Sequence, residues 1–390
     1  MTGYKETVSQ GGRTMYKTET SLLDILKGEF CNSTECPPKN LALAEMEDII
    51  YLAKEHTVQG LIANAAMQGR IVLSASDNGD KEAAVLKLMT VKVQYQRNFF
   101  HFEDAVTDFA QLMKRHGLRY VVFKGVAVAR LYPVPYSRTM GDVDFYVPAS
   151  DFAHAVEVIE RELHVDIEKE DIDKHYSFDY QGIRFEMHYQ IETFGNERHQ
   201  KYFNRMIDEC ITQRTDCFSI TDSETGSGET MVSVLPPTED LVVVFKHWFN
   251  HLLVEGVGLR QTTDLAVLLK AYQDKMDVAH LMTALENIGY KKAFRAMLAM
   301  MRKYFGLEWV ESFCVLNSKD ERYADKLMAT VMESGNFGRK AYKNHSSGRK
   351  KSIETAKRAL RHCAKFFWLA PKDICCLVPK RIGITLKQKI

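Results

Sequence analysis

The sequence predicts a mixed α/β (α+β) fold, a small mixed sheet flanked by N-terminal and C-terminal helical domains, and three observations carry that reading. Apolar residues recur three and four apart up to about residue 116 and again from 236 to Met332, whereas between 118 and 235 the period falls to two. Two aspartates, Asp142 and Asp144, stand one residue apart inside an otherwise apolar strand. A third acid, Glu186, lies in the middle of a strictly alternating segment, Ile183 to Ile191.

In chain order, residues 1–14 form a Gly- and Ser-containing leader, expected to be disordered or to lie upstream of the true start, and Met15 opens the first helix-like segment. The helical region 15–117 rests on Leu22, Leu23, Ile25 and Leu26, then on Leu41 to Ala53, then on Ala83 to Met113, closed by His116-Gly117. The central unit 118–235 reads as short strands at Tyr120 to Phe123 and Phe145 to Val147, and a helix from Asp151 to Leu163 capped by Ser150. A hairpin then runs from His175 to Ile191, turning near Gln181-Gly182, and a Ser-, Thr- and Gly-rich loop, Thr221 to Thr230, leads to a last strand, Met231 to Leu235. Pro236-Pro237-Thr238, followed by acids, marks a helix start and opens the helical domain 236–338. A basic tail, 339–390, completes the chain, and there are no internal repeats.

Composition excludes several classes. At 390 residues, with 45% hydrophobic and 26% charged residues, the chain has the composition of a folded soluble protein rather than a disordered one. No apolar run reaches the roughly 18 residues of a membrane span, and the first thirty residues lack a secretory pattern, so a cytoplasmic protein is expected. Eight cysteines without paired short spacings argue against a zinc site or a disulfide scaffold; Cys31 and Cys36 have no second pair to complete a set. The net charge of +1 hides an asymmetry: from Arg339 onward there are 15 Lys and Arg against Glu354 and Asp373, so the tail is basic and the body acidic.

The chemistry starts from strand geometry. Asp142 and Asp144 point the same way while Val143, Phe145 and Val147 point the other, and two carboxylates so close resist burial unless a cation joins them. A divalent metal is the obvious candidate. On the hairpin strand Arg184, Glu186, His188 and Gln190 share the polar face. If that face adjoins the aspartates, three carboxylates meet in a two-metal site of the kind that bridges phosphate oxygens and activates a hydroxyl. Spacing alone is common: Asp171-Ile172-Asp173 repeats it within a charged cluster that reads as solvated surface.

Strand, Gly-containing turn, helix, then two aspartates on a second strand and a glutamate on a third resemble the nucleotidyltransferase superfamily that shares the DNA polymerase beta palm. More closely, Phe123-Lys124-Gly125, Leu131-Tyr132-Pro133, Arg138, Gly141-Asp142-Val143-Asp144 and Glu186-Met187-His188-Tyr189 resemble a bacterial family of uncharacterised nucleotidyltransferases, over about 118–270. The resemblance implies a nucleotidyltransferase palm in which Asp142 and Asp144 hold Mg2+ or Mn2+ carrying an NTP. Glu186 takes the third carboxylate's place, holding the catalytic metal and helping to deprotonate the acceptor hydroxyl. Lys124-Gly125 stands where the superfamily has Gly-Ser or Gly-Gly around the phosphates, so a lysine point charge replaces part of the usual cradle.

Arg138 and His188 complete the expected nucleotide-binding set with Lys124 and Gly125, Arg138 by a bidentate grip on phosphate or else in a salt bridge, and His188 by orienting a ligand or holding a structural hydrogen bond. Lys246, His247 and His251 share an amphipathic helix of which one residue is expected at the cleft, and Asp264 is expected to cap or salt-bridge. The basic segment 349–369, ending in Phe366-Phe367-Trp368-Leu369, suits an anionic membrane surface, nucleic acid, or the acidic body of its own chain. The function expected is metal-dependent transfer of NMP from an NTP to a hydroxyl acceptor, releasing pyrophosphate. The alternatives are a silent palm serving as a nucleotide-binding or scaffold module, and an RNA-directed transferase.

Overall fold

The structure, a computed structural model, describes residues 7–10, 13–30, 36–74, 78–169, 175–221, 228–338 and 349–376. The chain opens with β1 (Thr7–Gln10), β2 (Arg13–Tyr16), α1 (Lys17–Lys27), β3 (Lys39–Ala42), α2 (Leu43–Glu55), α3 (Gln59–Met67), β4 (Ile71–Ser74) and the long α4 (Asn78–Arg115). Of the leader expected to be disordered, Thr7–Gln10 forms β1 and Arg13 and Thr14 begin β2, the two strands paired antiparallel; Met15, expected to open the first helix, lies in β2. The parallel pair β3 and β4 was not visible as a pattern, because strands of four residues give too short a period.

The central unit continues with β5 (Val121–Phe123), α5 (Gly125–Ala129), β6 (Asp142–Tyr146), α6 (Ala149–Leu163), β7 (Glu168–Lys169), β8 (His175–Tyr180), β9 (Ile183–His188), α7 (Glu197–Gln213), β10 (Asp216–Thr221) and β11 (Glu229–Val234). Ser150, expected to cap α6, lies inside it and bonds Asp151 instead; Pro148 holds the cap position. The hairpin turns at Gln181-Gly182 as expected, with φ of 52° and 74°, the positive values that two-residue hairpin loops favour. The second aspartate pair, Asp171 and Asp173, lies outside the described residues.

Among the described residues these strands form one sheet in the order β10-β11-β5-β6-β9-β8-β7, with β6–β9 and β11–β5 parallel and the other neighbours antiparallel. Alternation sorts its side chains between two cores. Val122, Val143, Phe145, Phe185 and Met187 face α4, where Phe109 meets Phe145 at 4.5 Å between ring centroids. Val121, Phe123 and Tyr146 face the opposite side, in the core built with α1 and the helices that follow the sheet. Those helices are α8 (Pro237–Val254), α9 (Leu259–Tyr272), α10 (Val278–Asn287), α11 (Lys291–Phe305) and α12 (Ser318–Ser334). The N-terminal and C-terminal helices therefore share one core, on the side of the sheet that also carries Asp142, Asp144 and Glu186.

The tail's α13 (Arg349–Phe366) docks on α8: Cys363, Phe366 and Leu369 are buried and His362 Nδ1 lies 2.7 Å from the Leu252 carbonyl oxygen. Of the three partners expected for this segment, its own body is the one the structure shows. No helix among the described residues is long and apolar enough to cross a membrane.

Candidate active site

The site is assembled by strand register. In the parallel β6–β9 pair Asp144 lies opposite Glu186, Asp142 opposite Arg184, and Tyr146 opposite His188; on the other side of β6, Asp144 lies opposite Phe123 in β5. The period of two puts Asp142 and Asp144 on one face, and Glu186 and His188 on the same side of the neighbouring strand. β8 adds a residue that sequence reasoning missed, because His175 lies opposite His188 in the β8–β9 hairpin, with ring centroids 4.9 Å apart. Its signal was available: it is the hairpin position that must face His188 once the turn is placed at Gln181-Gly182.

Of Asp142, Asp144 and Glu186, Asp144 is the most buried. Lys124 Nζ donates to its Oδ1 at 3.1 Å and His188 Nε2 lies 2.9 Å from the same oxygen. Burial alone would raise its pKa, but Lys124 and His188 outweigh burial and hold it below the ordinary carboxylate range. Asp142 goes the other way: burial first, then repulsion from Asp144 and Glu186, push its pKa up to about 6 against the pull of Lys124 and Arg260. For Glu186 burial and Asp144 oppose ionisation, yet His188 and His175 win and lower its pKa. The three carboxylates act on one another across the two strands, and the cluster of donor atoms within 4.8 Å of one another comprises His175, Glu186 and His188, with Asp142 and Asp144 outside it.

Lys124 takes an unusual backbone. At φ 57° and ψ −141° it occupies a region that costs a residue with a Cβ on the order of 1–3 kcal/mol. Gly125 follows at φ +29°, where an added Cβ would sit 3.0 Å from the Asp142 carbonyl oxygen. Strain and close approach together aim the lysine inward, and although burial opposes its charge, Asp144, Glu192 and Asp142 raise its pKa on balance.

Arg138, expected either to grip phosphate or to form a salt bridge, forks onto Asp264, Nε to Oδ1 and Nη2 to Oδ2 both at 2.8 Å, with Nη1 donating to the Thr139 carbonyl at 3.1 Å. Asp264 makes the expected salt bridge, but to the loop before β6 rather than within the helices. A tight fit backs this loop, since a Cβ on Gly60 would lie 2.4 Å from the Ser137 carbonyl oxygen. The guanidinium left near the aspartates is Arg260 of α9, another residue the sequence did not single out. Burial, then Arg138, depress its pKa; its Nε has no hydrogen-bond partner, and Asp142 attracts it. Of the helix α8 trio, Lys246 is fully buried against Phe194 and Tyr290. His247 faces the groove, its Nδ1 2.9 Å from Glu192 Oε1, and burial followed by Lys124 keeps it well below the usual histidine range.

The donor set suits a divalent cation. Asp142 carries repulsion from two carboxylates that Lys124 and Arg260 only partly offset, and imidazoles stand beside Glu186. A family described as "Uncharacterised nucleotidyltransferase" matches residues 43–306, more than half of the chain and well beyond the sheet at both ends. No curated protein matches the chain. Among solved structures, an antigenic nucleotidyltransferase-like protein from Paracoccidioides brasiliensis is similar over 55% of this chain and 94% of its own, at 14% sequence identity and a TM-score of 0.35.

Proposed function

The chain belongs to the uncharacterised nucleotidyltransferase family, and from that premise we propose that it transfers NMP from an NTP to a hydroxyl acceptor, with divalent metal held by Asp142, Asp144 and Glu186. The single observation supporting this reading most is the register that sets Glu186 beside Asp144 with Asp142 on the same face. Residues 118–235 would form the palm, with 15–117 and 236–338 as its helical walls and 339–390 as a basic tail.

Bound Mg2+ or Mn2+ would supply charge to neutralise the triphosphate and lower the pKa of the acceptor hydroxyl. Asp142 and Asp144 would anchor the triphosphate end through that charge. Glu186, ionised and next to His188, would accept the proton as the acceptor oxygen attacks the α-phosphorus and the bond to the β-phosphate oxygen breaks, releasing pyrophosphate. Lys124 would exchange its ion pair with Asp144 for phosphate, and Gly125 would let the backbone approach. Arg260 takes over the phosphate-facing role expected of Arg138, which positions the loop by its pairing with Asp264.

Lys124 on Asp144 also favours a second reading, in which the ammonium occupies the cation's place and the palm binds nucleotide without turnover. Pyrophosphate release from each NTP in Mg2+ separates the two. Release lost in Asp142→Asn supports transfer; nucleotide binding without release in the wild type supports the silent palm.

A further inference from the structure

A second concave region lies apart from the carboxylates. A cleft of about 1330 Å³ runs between α7, the starts of α11 and α12, and the segment after α13. Eight basic side chains line it against two acidic ones, on a body whose overall charge is acidic. The acids are occupied: Glu286 pairs with Lys291 at 2.7 Å and Asp320 with Arg295 at 2.6 Å. Arg198, Lys201, Lys292, Lys319 and Lys372 line it with no ion pair among the described residues, and Trp368 at its rim is 62% exposed.

We infer that this cleft binds single-stranded nucleic acid. Cations contributed by four separate segments suit a run of phosphates rather than one anion, and the volume exceeds the roughly 300–1,000 Å³ of a small-ligand pocket. A concave wall favours a strand over a flat lipid surface, and an exposed indole among ammonium groups is the arrangement on which unpaired bases stack. Lys372 is fixed in place by its neighbour, since Asp373 accepts from the backbone N–H of Gly195 and Asn196, the latter lining the cleft. The same loop reaches back to Glu192, which bonds His247 and raises the Lys124 pKa. Four peptide units separate Glu192 from Asn196, so the residue that bonds His247 and the one that lines the cleft have Cα atoms at most about 15 Å apart. A bound strand would thus present hydroxyls toward the groove; that last step rests on the transfer reading, whereas binding does not.

The test is fluorescence anisotropy of the full chain with a labelled twelve-nucleotide single-stranded RNA, the matching duplex, and vesicles of phosphatidylserine and phosphatidylcholine. Binding should weaken with salt at a log–log slope of about −3, as for four or five phosphate contacts at ~−0.7 each. Lys201→Glu with Lys292→Glu and Lys319→Glu should weaken it by roughly a hundredfold, and Trp368→Ala by about tenfold. Each variant's thermal unfolding is followed alongside, and Arg198→Gln serves where the triple variant does not fold. Asp142→Asn should bind the strand like the wild type, which keeps a failed transferase distinct from a failed cleft. No binding at low salt, equal binding by the charge-reversed chain, or preference for vesicles or duplex would overturn the inference.

Discussion

Asp144 lies directly opposite Glu186 in the parallel β6–β9 pair, and Lys124 Nζ reaches the same Asp144 at 3.1 Å. A buried carboxylate is thereby held ionised by an ammonium that the backbone strains to deliver. Lys124→Met should leave Asp144 buried with only His188 beside it, at a cost of about 3–5 kcal/mol in metal-free buffer. Added Mg2+ should then stabilise the variant more than the wild type, because it supplies the missing charge. Chemical denaturation with and without Mg2+ checks this; equal stability of the two chains in metal-free buffer would remove the lysine's electrostatic role.

The Arg138–Asp264 fork joins the loop before β6 to α9 with both side chains buried. Asp264→Ala should destabilise by about 3–5 kcal/mol because it strands a buried guanidinium. Arg138→Lys, which keeps the charge but loses the two-pronged fit, should also destabilise, by roughly 1–3 kcal/mol. If Arg138→Lys instead raises the KM for NTP at unchanged stability, the residue binds phosphate after all.

Asp142 titrates near 6 in the folded protein, above its ordinary 3.8, because burial and two neighbouring carboxylates favour the proton. A raised carboxyl pKa means the folded state binds the proton more tightly, so this group's contribution favours folding at low pH and fades as pH climbs from about 4 to 6. A cation competes with that proton. Calorimetric Mn2+ affinity should therefore rise about tenfold per unit below pH 6 and level off above it, and Asp142→Asn should flatten the profile. An affinity constant from pH 5 to 7 in the wild type contradicts the assignment.

His175 and His188 give Glu186 nitrogen neighbours, a donor set that suits Mn2+ or Co2+ better than Mg2+. His175→Gln should lower Co2+ affinity by about ten- to a hundredfold and alter its visible absorption, with Mg2+ affinity little changed. An unchanged Co2+ spectrum would leave His175 outside the coordination sphere.

Much of this site was legible before the fold. Strict alternation fixed which side of each strand Asp142, Asp144 and Glu186 occupy, and the Gln181-Gly182 turn fixed the hairpin register. What was not legible depends on long-range packing. Arg138 and Asp264 are 126 residues apart in sequence, so neither periodicity nor local charge pattern indicates that one would consume the other. Arg260 reads as an ordinary helical arginine until α9 is laid across the groove. His175 needed the pairing partner, and Lys201, Lys292 and Lys372 gather in one cleft only after α7, α11 and the tail have docked.

The central claim, that the carboxylates of β6 and β9 together hold a divalent cation, is tested most directly by electron paramagnetic resonance titration of Mn2+ with a non-hydrolysable NTP present. The account predicts protein-bound Mn2+ in the wild type, weakened about tenfold or more by Asp144→Asn and by Glu186→Gln separately. Uptake identical in all three proteins, or none in the wild type, would contradict it.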